Sequence, residues 1–91
     1  MTDWRDSKYL AFAWAGTSES GRTERWAVTS TSSGDRLGTV SWYGPWRQYV
    51  FEPMPDCVFN DGCLADITGF LSEVNAARRA GRRPVVRREP A

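Results

Sequence analysis

A chain of 91 residues with five tryptophans, no histidine and a net charge of +1 has room for one domain, which buries roughly 60–65% of its unfolded surface. Two cysteines without histidine exclude an ordinary Cys/His zinc site and leave acid–base chemistry to carboxylates. The charge is uneven: residues 1–77 hold six Lys+Arg against ten Asp+Glu, a body of −4, and residues 78–91 hold six arginines against one glutamate, an end of +5.

That asymmetry points to a charged partner or to a tail folded back on its own acidic body. Aromatic residues make up 13% of the chain, and since each ring buries roughly 150–250 Å², a small core has a reason to be aromatic-rich without any ligand. No stretch approaches the ~20 apolar residues of a membrane span, and MTDWRDSK lacks the apolar run of a secretory signal. The chain is therefore expected in the cytoplasm, with Cys57 and Cys63 as reduced, partly buried thiols.

Taken in chain order, KYLAFAWA (8–15) alternates large and small residues, which favours a strand, although Ala and Leu also suit a helix. GTSESGR (16–22) reads as a loop, and the β-branched and aromatic run Arg25–Thr31 as the next strand. SSGD (32–35) supplies a turn, Leu37–Tyr43 a further strand, Gly44-Pro45 a tight connection and Trp46–Glu52 the returning strand. Pro53 and Pro55 end the sheet, because proline cannot donate to a central ladder.

The clearest helix follows. Asn60 is a good N-cap, Phe59 is placed to staple onto Leu64, and Asp61 and Asp66 lie toward the positive end of the helix dipole. Leu64, Ile67, Leu71 and Val74 give one stripe for burial, with Cys63 and Phe70 beside it. Arg78 and Arg79 suit the negative end, and Gly81 with Pro84 marks the stop. The expected architecture is α+β: an antiparallel three- to four-stranded meander sheet with one C-terminal helix packed on one face. Residues 1–81 form the domain and 82–91 a basic, flexible tail.

The stretch WYGPWRQYVF (42–51) divides by parity. A hairpin turning about Gly44-Pro45 sets Tyr43 opposite Trp46, Trp42 opposite Arg47 and Val40 opposite Tyr49, and opposite residues share a face. Val40, Trp42, Tyr49 and Phe51 then face the helix, with Arg47 at the rim. The other face carries Thr39, Ser41, Tyr43, Trp46, Gln48 and Val50. One extra residue in the turn would reverse this for the last strand, and Gly-Pro is not a common two-residue hairpin turn.

WRQY matches the four-residue WRKY transcription-factor motif at three positions and nothing beyond: glutamine replaces lysine, the GQK continuation is missing and no histidine exists for the zinc site. A longer resemblance covers residues 26–75. WAVTS, then LGTVSWYGPWRQYVFEP, then CLADITGFLSEVN resembles small uncharacterised proteins of phages, prophages and bacterial genomes. In these a strand of the form LGxIxWYxxWRxYxFxP precedes a helix of the form CLxxIxxFLxxLN. The resemblance implies a shared fold and a phage or mobile-element origin. It implies no activity and no catalytic residue.

Asp56, Asp61 and Asp66 sit in a loop and in the first turns of the helix, where capping and dipole effects explain them better than a catalytic pair. Cys63 has no evident base beside it. No Gly-rich phosphate loop of known spacing occurs. The chain is read as non-enzymatic, without metal or cofactor. Two binding functions remain.

In the first, Tyr43, Trp46, Arg47 and Gln48 contact a host protein, which the chain inhibits or otherwise modulates; Trp, Tyr and Arg are the residue types that anchor such interfaces. In the alternative, Tyr43 and Trp46 stack the bases of a single-stranded nucleic acid while Arg47 and the arginines Arg78, Arg79, Arg82, Arg83, Arg87 and Arg88 contact phosphates; the same arginines also suit an acidic protein surface. Self-association through a sheet edge is a third use of the surface.

Overall fold

The computed structural model describes residues 7–82. Four strands form one antiparallel sheet in the order β1-β2-β3-β4: β1 Leu10–Thr17, β2 Glu24–Ser30, β3 Arg36–Tyr43 and β4 Gln48–Pro53. A single helix, α1 Asp61–Arg79, follows and runs back along β4 over one face of the sheet. This is the expected α+β meander with four strands, and the strand expected over KYLAFAWA is present from Leu10 onward, without Lys8 and Tyr9. It extends to Thr17, past the expected start of its loop, with a bulge between Trp14 and Gly16.

Sheet parity sets the core. Leu10, Trp26, Val28, Val40 and Tyr49 from the strands pack against Ile67, Phe70 and Val74 of α1. Phe12 stacks on Phe70 with centroids 4.4 Å apart, and Trp26 meets both Phe70 (5.2 Å) and Tyr49 (5.4 Å) edge-on. Edge-to-face pairs of this kind add about 0.5–1.5 kcal/mol each beyond the area they bury. The opposite face carries Ala11, Ala13, Ala15, Ala27, Thr39, Ser41 and Val50, and no described element covers it.

Gly38 shows why the core tolerates a glycine in mid-strand. A Cβ there would lie 2.5 Å from Phe51 Cζ and 2.7 Å from the Glu52 carbonyl oxygen. The Phe51 ring fills the space a side chain would take.

The helix begins as its sequence indicates: Asn60 Oδ1 accepts the Cys63 N–H at 2.8 Å, and Asp61 Oδ1 accepts the Gly62 N–H at 2.9 Å. It ends in a Schellman turn. Gly81, at φ 74°, donates to the Arg78 carbonyl and Arg82 donates to that of Ala77.

Three helix expectations need correction. Leu64 is 50% exposed, because the buried seam runs through Ile67, Phe70, Val74 and Ala77, with Cys63 half-buried at its start; Leu64 lies one residue around the helix from Cys63. Leu71 is half-buried on the flank and Phe70 is the centre. Phe59 packs edge-on against Phe51 at 5.4 Å, so β4 takes the ring expected to staple onto Leu64. Asp66 lies past the first turn and is buried, and its Oδ1, like Trp26 Nε1, has no hydrogen-bond partner among the described residues. The helix dipole, which fades within one turn, does not account for it.

Cys57 and Cys63 are free, half-buried thiols. Residues 83–91, including Arg83, Arg87 and Arg88 of the expected tail, lie outside the described residues.

Candidate functional site

The β3–β4 connection is longer than two residues. Tyr43 pairs with Gln48, Trp42 with Tyr49, Ser41 with Val50 and Val40 with Phe51. The register is therefore displaced by two from the expected hairpin, and Gly44–Trp46 form a 3-10 turn that Arg47 closes by donating its N–H to the Gly44 carbonyl at 3.1 Å. Pro45 presets the backbone angle for such a turn but does not suit a two-residue primed hairpin. A displacement of two preserves parity, so Trp42, Tyr49 and Phe51 face the helix as expected. Trp46 and Arg47 leave the strand. They project from the tip and not from a sheet face.

At that tip Trp46 is 65% and Tyr43 42% exposed, and their rings meet edge-on at 5.0 Å. Arg47 and Gln48 beside them are exposed. Arg47 occupies the left-handed region at φ 52°, ψ 47°, a conformation costing a non-glycine residue about 1–2 kcal/mol. Behind the tip, a groove of about 550 Å³ runs between β4 and α1, lined at its mouth by Trp46, Gln48 and Arg79.

Tyr49 ties the tip to the body. Its N–H donates to Asn75 Oδ1 at 2.7 Å, and its carbonyl accepts from Asn75 Nδ2 at 3.2 Å. Its buried hydroxyl accepts the Glu24 N–H at 3.1 Å. On the other side of Tyr49, Trp42 packs edge-on at 5.3 Å and carries the Arg78 guanidinium 4.8 Å above its ring. Arg78 Nη1 donates to the Arg22 carbonyl at 3.0 Å.

Strand direction explains this convergence. The β1–β2 loop, the β3–β4 turn and the C-terminal end of α1 all fall at one end of an up-and-down meander with a returning helix. The structure thus gathers Tyr43, Trp46, Arg47, Gln48, Arg78, Arg79 and Arg82 at that end, and adds Arg22 and Trp42. Sequence reading missed Arg22, which sits in a Ser/Gly-rich loop far along the chain from the helix arginines. The meander topology was the signal available for it.

Asp35, Asp56 and Asp61 lie in the β2–β3 turn, the β4–α1 loop and the start of α1, which belong to the opposite end. Among the described residues no three His, Cys, Asp or Glu side chains are grouped to hold a metal ion. No described helix is long and apolar enough to cross a membrane.

The fold and this end together define a small α+β domain, a four-stranded antiparallel meander backed by one helix among the described residues, which gathers Tyr43, Trp46 and five arginines at one end while the exposed Tyr9 and Arg36 lie at the other. No family model matches the chain, and no solved structure matches it. The chain is similar, at 28% identity over 80 residues, to an uncharacterised 9.3 kDa protein of Acholeplasma phage L2; the alignment covers 85% of this chain and 97% of the phage protein.

Proposed function

We propose that this is a non-enzymatic, cytoplasmic accessory protein of phage or mobile-element origin that binds, and inhibits or modulates, a host protein through the β3–β4 tip. The observation that carries this reading is the placement of Trp46. In a chain short of apolar material, a large ring is left 65% exposed on a structured turn against Tyr43. Burying it in a partner removes apolar area worth about 25 cal/mol per Å², and Trp, Tyr and Arg are the residues that most often dominate interface energies. The similarity to a phage protein of nearly the same length supports the origin.

The test is affinity capture from a host lysate with the wild-type chain and with Trp46→Ala. One dominant protein recovered by the wild type and lost by the variant, with near-ultraviolet circular dichroism unchanged apart from the lost indole, supports the reading. Equal recovery by both counts against it.

A second reading, single-stranded nucleic acid as the partner, is favoured by the gathering of Arg22, Arg78, Arg79 and Arg82 at the same end. Bases would stack on the tip rings rather than on the middle of the open sheet face, where Ala13, Ala27, Thr39, Ser41 and Glu52 offer no aromatic ring. Affinity that falls steeply with salt distinguishes this reading from the first.

A further inference from the structure

Between the β1–β2 loop and the end of α1 lies a cavity of about 500 Å³, bounded by Arg22, Arg78 and Arg82, with Tyr49 and Glu24 among its lining. Two glycines with left-handed backbone, Gly21 and Gly81, complete its wall, and no atom lies within 4 Å of where their Cβ atoms would be. Their backbones are open to a ligand.

Arg78 is held in place before any ligand arrives. Its guanidinium lies over Trp42, and one nitrogen, Nη1, is committed to the Arg22 carbonyl. A guanidinium has five N–H donors, so most of the Arg78 fork remains for a ligand. Glu24 contributes the opposing charge, and its Oε1 is engaged by the Trp14 indole at 2.8 Å. Three guanidiniums against one carboxylate leave the cavity positive, despite the negative end of the helix dipole.

We propose that this cavity binds a phosphate group, presented by a single-stranded nucleic acid. A backbone phosphodiester has two non-bridging oxygens that a guanidinium fork fits, and a strand repeats that charge at every nucleotide, so three guanidiniums find partners on successive phosphates of one chain, which an isolated carboxylate does not supply. The rings of Trp46 and Tyr43 at the same end supply stacking for a base of the same strand. The inference rests on the nucleic-acid reading of the tip and adds to it a defined phosphate site that includes Arg22.

The experiment measures anisotropy of a fluorescent oligothymidylate across a salt series with the 91-residue chain, the double variant Arg22→Gln/Arg82→Gln and the control Lys8→Gln/Arg36→Gln. Both variants remove two positive charges from exposed side chains. The Arg22 carbonyl that Arg78 uses is untouched.

The expected result is binding by the wild type, at least about tenfold weaker binding by Arg22→Gln/Arg82→Gln, and a salt slope lower by about 1.4 for two lost phosphate contacts on a single strand. The control should lose less than about threefold. Equal losses in both variants, or no loss in either, would overturn the site.

A parallel arm follows arginine Nε–H signals by NMR as inorganic phosphate is added. Signals of Arg22 and Arg82 that move with phosphate, with no oligonucleotide binding at low salt, retain the cavity as a phosphate site and reject the nucleic acid. No response in either arm rejects both. Competition by a polyglutamate peptide at the affinity of the oligonucleotide would assign the cavity to carboxylates and overturn the proposal.

Discussion

The Asn75 carboxamide pairs with both main-chain polar groups of Tyr49, accepting its N–H at 2.7 Å and donating to its carbonyl at 3.2 Å. A side chain from α1 thus stands where a fifth strand would pair with β4. Edge strands present unpaired donors and acceptors to any passing chain, and here one residue of the helix closes the start of that edge, beside the tip. It also fixes the strand that leads out of the exposed tip.

Asn75→Ala should therefore destabilise the fold by about 1–2 kcal/mol, the range for a pair of partly buried hydrogen bonds. The Tyr49 amide should exchange with solvent much faster than its neighbours across β3. Denaturant unfolding and hydrogen exchange followed by NMR check both. An unchanged Tyr49 exchange rate would mean that the carboxamide does not protect this edge.

Gly38→Ala should cost more than its single methyl suggests. The added Cβ must displace the Phe51 ring or the Glu52 backbone, and overpacking of this kind typically costs about 1–3 kcal/mol. Phe51→Leu in the Gly38→Ala background, by vacating ring space, should recover part of the loss. Additive losses in the double variant would contradict the account.

The rotation of the helix can be tested by a pair of substitutions. Leu64→Ser, at a half-exposed position, should shift stability by less than about 0.5 kcal/mol, whereas Phe70→Ala should cost about 3–5 kcal/mol because Phe70 is fully buried among Phe12 and Trp26. Comparable losses would restore Leu64 to the core.

Arg47→Gly separates folding from binding. Glycine occupies the left-handed region without the cost arginine bears there, but it also gains more freedom in the unfolded chain. Stability should change by between nothing and a gain of about 1 kcal/mol. Partner affinity should fall, because an exposed guanidinium beside Trp46 is lost. Thermal unfolding and a binding isotherm on the same preparation read the two effects.

Most of the fold was legible because its cues are local. Period-two alternation in LAFAWA, the β-branched and aromatic content of RWAVTS, the two prolines after Glu52 and the Asn60 cap each act over a few residues, and the structure follows them. Two features failed for a common reason: tertiary geometry chose between near-equal local options. Gly44-Pro45 permitted either a two- or a four-residue turn, and the 3-10 geometry that Pro45 favours took the longer. Leu64 and Cys63 competed for the start of the helix seam, and Cys63 won because it aligns with Ile67, Phe70 and Val74.

The tip residues Tyr43, Trp46, Arg47 and Gln48 were recognisable by composition, whereas the company of Arg22 and Trp42 depends on which loops share an end. Asn75, a polar residue within an otherwise ordinary helix, gave no sequence sign of its hold on Tyr49.

The most direct test of the central claim, that the tip and not the core uses Trp46, is the affinity of a purified captured host protein for Trp46→Ala and for Leu64→Ala. Both substitutions truncate a large exposed apolar side chain, and both variants should keep the wild-type unfolding midpoint within about 0.5 kcal/mol. Trp46→Ala should weaken the complex by at least about 2 kcal/mol, roughly thirtyfold, and Leu64→Ala by less than about threefold. Equal affinities of the two variants, or a Trp46→Ala chain that unfolds before it can bind, would contradict it.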